Sequence, residues 1–259
     1  MSYRWMIISK NSCSFKASLQ AYFLASLLNI ILPGRLGELS RLFFLKKFFK
    51  IPYNNSFSIF TLDRSFDVLF IALATIFGIG LLVSDNAYSY YLPMIFIIFL
   101  TLFFYLIKQK KEFIFYLLRY IPSRFLKIYI KKIIITISKT LTLSIFFSAS
   151  FYTSLVWFIN ASFFIVFLKY VVNFDLSITQ YFLVYLASAI GMAIPIAPAG
   201  VGTFHLAVIY MLTSYGIVYE KAVATAILLH IIQIIPSIIG GYFVIISKDL
   251  KGFKDGYRL

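Results

Sequence analysis

Four stretches of this chain, 57–83, 88–107, 141–168 and 222–246, each run for 20 or more mostly apolar residues. A helix rises 1.5 Å per residue, so about 20 residues cross the roughly 30 Å hydrocarbon core of a bilayer. Inside that core every backbone N–H and C=O must be satisfied within the chain, which makes helices the natural fold for such segments. The composition agrees: 61% of the residues are hydrophobic and 20% aromatic, where a soluble domain is nearer half apolar. The sequence predicts an all-α integral membrane protein with about four full transmembrane helices, built as a single domain over 1–259.

The formal net charge of +15 raises nucleic acid as a partner, but the placement of the charge excludes it. Basic residues punctuate the apolar segments, as they do in cytoplasmic loops. Nine Lys and Arg fall within 108–139, and Lys248, Lys251, Lys254 and Arg258 mark the C-terminal tail. Lys46, Lys47 and Lys50 follow the first apolar segment, whereas the neighbourhoods of Asp85 and Asp175 hold only Lys169. The positive-inside rule puts the basic segments, including an N-terminus with Arg4, Lys10 and Lys16, in the cytoplasm and the two acidic loops outside. The expected orientation is multi-pass, with a cytoplasmic C-terminus. Segment 108–140 reads as a basic cytoplasmic or interfacial connection. In it, Arg124, Lys127 and Lys131 share one helical face able to meet anionic headgroups.

Other classes are constrained as well. Cys13 is the only cysteine, which leaves no disulfide framework and no Cys-based metal site. The first residues hold no apolar core long enough for a secretory signal. No phosphate-binding glycine loop, HExxH helix or GxSxG elbow occurs. The expectation is a protein that is not an enzyme and has no cofactor or metal.

Two further apolar segments are broken: 17–44 by "PGRLG" and 178–214 by "PIAPAGVG". Charge counting puts both ends of the first on the cytoplasmic side and both ends of the second outside, so neither is a single span. They are predicted as re-entrant helical hairpins entering from opposite faces. Pro33 and Gly37 are four apart, as are Pro198 and Gly202. Oppositely oriented broken segments are how inverted-repeat transporters build a site at mid-membrane.

The breaker of the first hairpin continues as "RLGELSR", placing Arg35, Glu38 and Arg41 at i, i+3 and i+6. A helix N-terminus there favours an anion, and Gly34 and Gly37 let one approach the backbone. Charges at membrane depth cost about 2.5–3.5 kcal/mol each on the insertion scale, so they are paired or line a wet cavity. The cluster is either an anionic-headgroup site or a self-neutralising clamp on the hairpin. The next span carries Asp63, Arg64 and Asp67 on neighbouring positions of one face. With net −1 they complement the net +1 of the first cluster, as a salt-bridge network, a proton relay or an acid pair for intramembrane catalysis. Asn29 is helix glue or a ligand donor. In the second hairpin Pro195, Pro198, Gly200 and Gly202 prevent a continuous helix. His205 follows that turn and His230 sits in the last span, as satisfied hydrogen-bond partners or as substrate or proton carriers.

Taken together, "NIILPGRLGELSR", "LDRSFDVL" and "PIAPAGVGTF" in this order resemble the flippase-like membrane family that includes the transmembrane region of lysylphosphatidylglycerol synthase. The resemblance covers nearly the whole chain. It implies a multi-pass inner-membrane protein that moves or presents a lipid with a polar headgroup, with "PGRLGE" and "PAGVG" lining a central cavity. It points to Asn29, Pro33, Gly34, Gly37, Glu38, Arg41, Arg64, Asp67, Pro198, Gly200 and Gly202 as motif positions. Most members carry one or two membrane segments before the "YRW" at which this chain opens, and often Glu and Arg where it has His205 and His230. That exchange implies that the two histidines face each other. No aminoacyl-transferase domain follows, so lysyl-lipid synthesis is not expected. The expected cargo is an anionic phospholipid or a polyprenyl-phosphate glycolipid. The alternatives are a module that presents such a lipid to a separate glycosyl- or aminoacyl-transferase, and an enzyme built on Asp63 and Asp67.

Overall fold

The computed structural model describes residues 1–10, 12–82, 111–120 and 141–247, with position 109 and scattered positions in 122–138. The predicted span 88–107, most of the basic connection 108–140 and the charged tail after 247 lie outside these residues. All regular structure among the described residues is helical.

Helix α1 is Ser2–Ile8 and α2 is Phe15–Ile31, the latter begun by the Ser14 side chain accepting the Ala17 N–H. A 3-10 turn, Pro33–Arg35, leads to α3, Leu36–Phe49. Helix α4 is Tyr53–Leu82, whose 30 residues reach about 45 Å at the standard rise. Helix α5, Lys111–Leu117, is short. Helix α6, Leu143–Val166, starts on a Thr142 cap and widens into a π turn over Phe167–Val171. Helix α7, Ile178–Ala193, opens on a capping box in which Ser177 and Gln180 satisfy each other's backbone N–H. A second 3-10 turn, Pro198–Gly200, precedes α8, Thr203–Ser214, and α9 is Tyr219–Ile246. Among the described residues, two segments, Leu143–Val171 and Tyr219–Ile246, are long and apolar enough to cross a membrane. The predicted spans 141–168 and 222–246 fall on these two segments, and 57–83 falls on α4, helical over its described residues.

Several charged side chains are buried and many large apolar ones are exposed. Arg4 and Asp63 are 0% exposed, while Phe158 is 71% and Tyr210 72% exposed. A water-facing surface does not favour large apolar side chains in such numbers, and a buried charge needs a partner; a surface facing lipid removes the first difficulty.

Two broken segments fold as helical hairpins. In the first, α2 packs on α3; in the second, α7 packs on α8. The turns share a backbone plan: a proline followed by two left-handed residues, Gly34 (φ 66°) and Arg35 (φ 56°) in one, Ala199 (φ 52°) and Gly200 (φ 74°) in the other. Each hairpin also has a glycine where its arms close. A Cβ on Gly37 would lie 2.4 Å from the Asn29 nitrogen, and one on Gly191 would lie 2.6 Å from the Thr203 carbonyl oxygen. Removing the side chain lets the backbones meet, the small-residue packing used between membrane helices.

Each hairpin anchors its own apolar core. Trp5, Ala21, Leu45, Leu62 and Phe66 belong to the one around the first, and Phe164, Val184, Phe204, Val208 and Leu229 to the one around the second. The halves join where α9 packs on α2 and where the two turns touch each other. The tips of the hairpins thus meet at the junction of two cores.

Candidate functional site

Between the tips lies a cavity of about 370 Å³, lined by α2, α3, α4, α6, α7, the second turn and α9. Of the predicted site residues, Asn29, Arg35, Glu38, Arg41, Arg64, Asp67 and Gly200 line it. Gly34, Gly37, Asp63, Pro198, Gly202, His205 and His230 lie outside its lining and act on its frame.

The charges form one network. Asp63, fully buried on α4, accepts from Arg4 Nε at 2.6 Å and from Arg64 Nη2 at 2.7 Å. Asp67 accepts from Arg4 Nη1 and Nη2 at 2.7 and 3.0 Å and lies 3.0 Å from Arg64. Arg64 Nη1 reaches Glu38 Oε1 at 3.3 Å, joining α4 to the first hairpin. Arg4 also donates to Thr153 Oγ1 at 2.8 Å, so one guanidinium ties α1, α4 and α6 together. Arg35 stands 3.8 Å from Glu38 and Arg41 3.8 Å from Asp63, so four arginines, Arg4, Arg35, Arg41 and Arg64, face three carboxylates and leave one positive side-chain charge over. The predicted complementarity of the two clusters is present, and both acids are engaged by arginines.

Arg4 corrects the sequence reading, which counted it as a loop charge. It lies at the centre of the network, because α1 turns Ser2, Arg4, Trp5 and Ile8 inward together. The "YRW" alongside a buried acid pair was the only sequence signal for it.

Arg41 carries the surplus differently. Its Nε has no hydrogen-bond partner among the described residues, and its Nη1 stands 3.8 Å from Asp63 Oδ2, beyond hydrogen-bond range. The guanidinium lies 5.0 Å from the Trp5 ring and 5.1 Å from the Tyr22 ring, where the aromatic faces offset part of its desolvation. Arg35, half-exposed, donates to the Met192 carbonyl of α7 at 2.7 Å and so ties the hairpin tips together.

The helix N-terminus expected to hold an anion is used internally. The Leu36 N–H bonds to the Pro33 carbonyl, and the Glu38 N–H donates to Asn29 Oδ1 at 3.2 Å. Asn29 is therefore the cap of α3, and the positive charge at the cavity comes from side chains.

The two histidines face each other as expected, with His230 Nδ1 3.3 Å from His205 Nε2. Gly202 N–H donates to His205 Nδ1 at 3.3 Å, which puts the His205 proton on Nε2, aimed at His230 Nδ1. His230 then carries its proton on Nε2 and donates to the Ala199 carbonyl at 3.0 Å. The chain of donors is complete, and it fastens α9 to the strained turn of the second hairpin.

Several lining residues were not singled out from the sequence: Trp157 and Asn160 on α6, Tyr185 and Ser188 on α7, and Gln233 on α9. Asn160 and Gln233 are polar residues inside long apolar runs, which is the signal that could have found them.

The family model of the lysylphosphatidylglycerol synthase TM region matches residues 1–241. No curated protein and no solved structure matches the chain.

Proposed function

This chain belongs to the lysylphosphatidylglycerol synthase transmembrane-region family, and we propose that its cavity takes the anionic or phosphate-bearing headgroup of a membrane lipid and passes it across the bilayer. One observation carries the reading. The Nε atoms of Arg41 and Arg64, the indole nitrogen of Trp157 and the amide nitrogen of Gln233 are buried without a hydrogen-bond partner among the described residues, and all four residues line the cavity. Each is a donor. Buried donors left unpaired cost about 1–3 kcal/mol each, so the site gains most from a ligand rich in acceptors. The surplus positive charge selects an anion among such ligands, and a phosphate meets both demands.

In this reading Arg41 and Arg35 hold the headgroup, while Glu38 and Arg64 set their positions. The hairpins are re-entrant from opposite faces, and their tips part when Arg35 releases the Met192 carbonyl. The whole chain acts as one membrane unit with its basic segments and C-terminus in the cytoplasm. Lys10 and Lys16 carry the N-terminal charge count, since Arg4 is withdrawn into the network.

The test is reconstitution of the purified protein in liposomes. Movement of phosphatidic acid should exceed that of phosphatidylcholine and fall about tenfold or more in Arg41→Gln, which removes a charge-assisted contact of about 1.5–3 kcal/mol. Equal movement in protein-free vesicles refutes translocation. Activity that arises only on adding a membrane transferase assigns the chain to lipid presentation.

A further inference from the structure

A second cavity, of about 440 Å³, lies between α4, α6 and α7 and is almost wholly apolar, with Phe77, Phe158, Ile165 and Phe182 among its walls. It touches the first. Trp157 and Tyr185 line both cavities, and Phe70, on the apolar side, stacks on Trp157 with ring centroids 5.0 Å apart. Trp157 and Tyr185 meet at 5.9 Å. Three aromatic rings, Phe70 stacked on Trp157 and Tyr185 edge-on to it, are therefore the partition between a polar, positively charged chamber and an apolar one.

That pairing has the shape of an amphiphile. On α4, Asp67 faces the polar chamber and Phe70, three residues on, faces the apolar one; on α6, Asn160 and Ala161 divide in the same way. At this boundary the indole N–H of Trp157 is buried without a hydrogen-bond partner among the described residues, where an amphiphile would change from polar to apolar along its length. We propose that the second cavity is the hydrocarbon subsite: one alkyl chain of the bound lipid runs past Trp157 into the space between α4, α6 and α7 while its phosphate stays with the arginines. This rests on the headgroup reading above. It adds which helices hold the chain, and it makes Trp157 and Tyr185 the residues that set how the two halves of the ligand join.

The experiment is photo-crosslinking in phosphatidylcholine nanodiscs, with phosphatidic acid carrying a diazirine midway along one acyl chain. Label is expected on Phe158 and Phe182. It should fall about tenfold in Ser162→Trp, which fills the cavity, and also in Arg41→Gln, which weakens headgroup capture, a loss equivalent to 1.4 kcal/mol. Ala74→Phe fills the cavity from α4 and serves if Ser162→Trp does not fold. Arginine-dependent label that lands elsewhere, or that survives both filling variants, overturns the hydrocarbon subsite and leaves the headgroup reading standing. Label in the cavity that is indifferent to Arg41→Gln is ordinary bilayer lipid, and it overturns the link between the two chambers. Absence of any preference for the phosphatidic acid probe over a phosphatidylcholine probe counts against the headgroup reading itself.

Discussion

Replacing Arg4 tests the charge network most sharply, because sequence and structure give it opposite roles. As a loop charge, Arg4→Gln would be nearly silent; surface substitutions usually fall within about 0.5 kcal/mol. In the structure Arg4 contributes bonds of 2.6 and 2.7 Å to two buried carboxylates and 2.8 Å to Thr153. Its loss leaves Asp63 and Asp67 sharing Arg64, with Arg41 at 3.8 Å from Asp63. Removing one partner of a buried pair costs about 3–5 kcal/mol. At about 2–4 °C per kcal/mol, the midpoint of thermal unfolding in detergent should drop on the order of 10 °C. Arg4→Lys should fall in between, since an ammonium is a point charge and cannot span both acids as the guanidinium fork does. Arg4→Gln combined with Asp67→Asn should recover part of the loss, with a coupling of about 1–3 kcal/mol. A midpoint for Arg4→Gln within about 2 °C of the parent, or strict additivity of the two changes, would refute the reasoning.

Two further predictions follow from the hairpins. Gly37→Leu drives a side chain into the Asn29 and Ala25 backbones, at 2.4 and 2.6 Å for the Cβ alone, and should lower stability by about 1–3 kcal/mol or more in a detergent unfolding series. His205→Ala leaves the His230 ring and the Gly202 N–H short of a partner and should destabilise by about 1–3 kcal/mol, whereas His205→Glu with His230→Arg should restore most of the loss by substituting an ion pair for the donor chain. If the double charged variant is less stable than either single one, the histidines are not acting as a facing pair.

The broken segments show how much the sequence carried. Prolines and glycines break a helix locally, so "PGRLG" and "PIAPAGVG" marked both turns without any tertiary information, while the left-handed Arg35 and Ala199 within them came only with the structure. Where α2 and α7 stop and where α3 and α8 start follow from them, whereas α3 runs on to Phe49, past the predicted end at 44. Asp63, Arg64 and Asp67 were visible because charge in an apolar run demands a partner. Which partner is a tertiary matter: Arg4 reaches them across 59 and 63 residues, and no local rule connects a short N-terminal helix to the middle of α4. The same holds for Asn29, whose role as the cap of Glu38 depends on the arms of the hairpin closing at Gly37. The aromatic partition was hidden for a different reason. Phe70, Trp157 and Tyr185 are ordinary residues for membrane helices, and only the packing of α4, α6 and α7 sets them between a polar and an apolar chamber.

The central claim is that the cavity between the hairpin tips selects an anionic headgroup. Native mass spectrometry of the purified protein, equilibrated with equal amounts of phosphatidic acid and phosphatidylcholine of matched chains, tests it directly. The account predicts retention of phosphatidic acid by about tenfold or more, a preference lost in Arg41→Gln and kept in the exposed control Lys10→Gln. Equal retention of the two lipids, or a preference that survives the loss of Arg41, would contradict it.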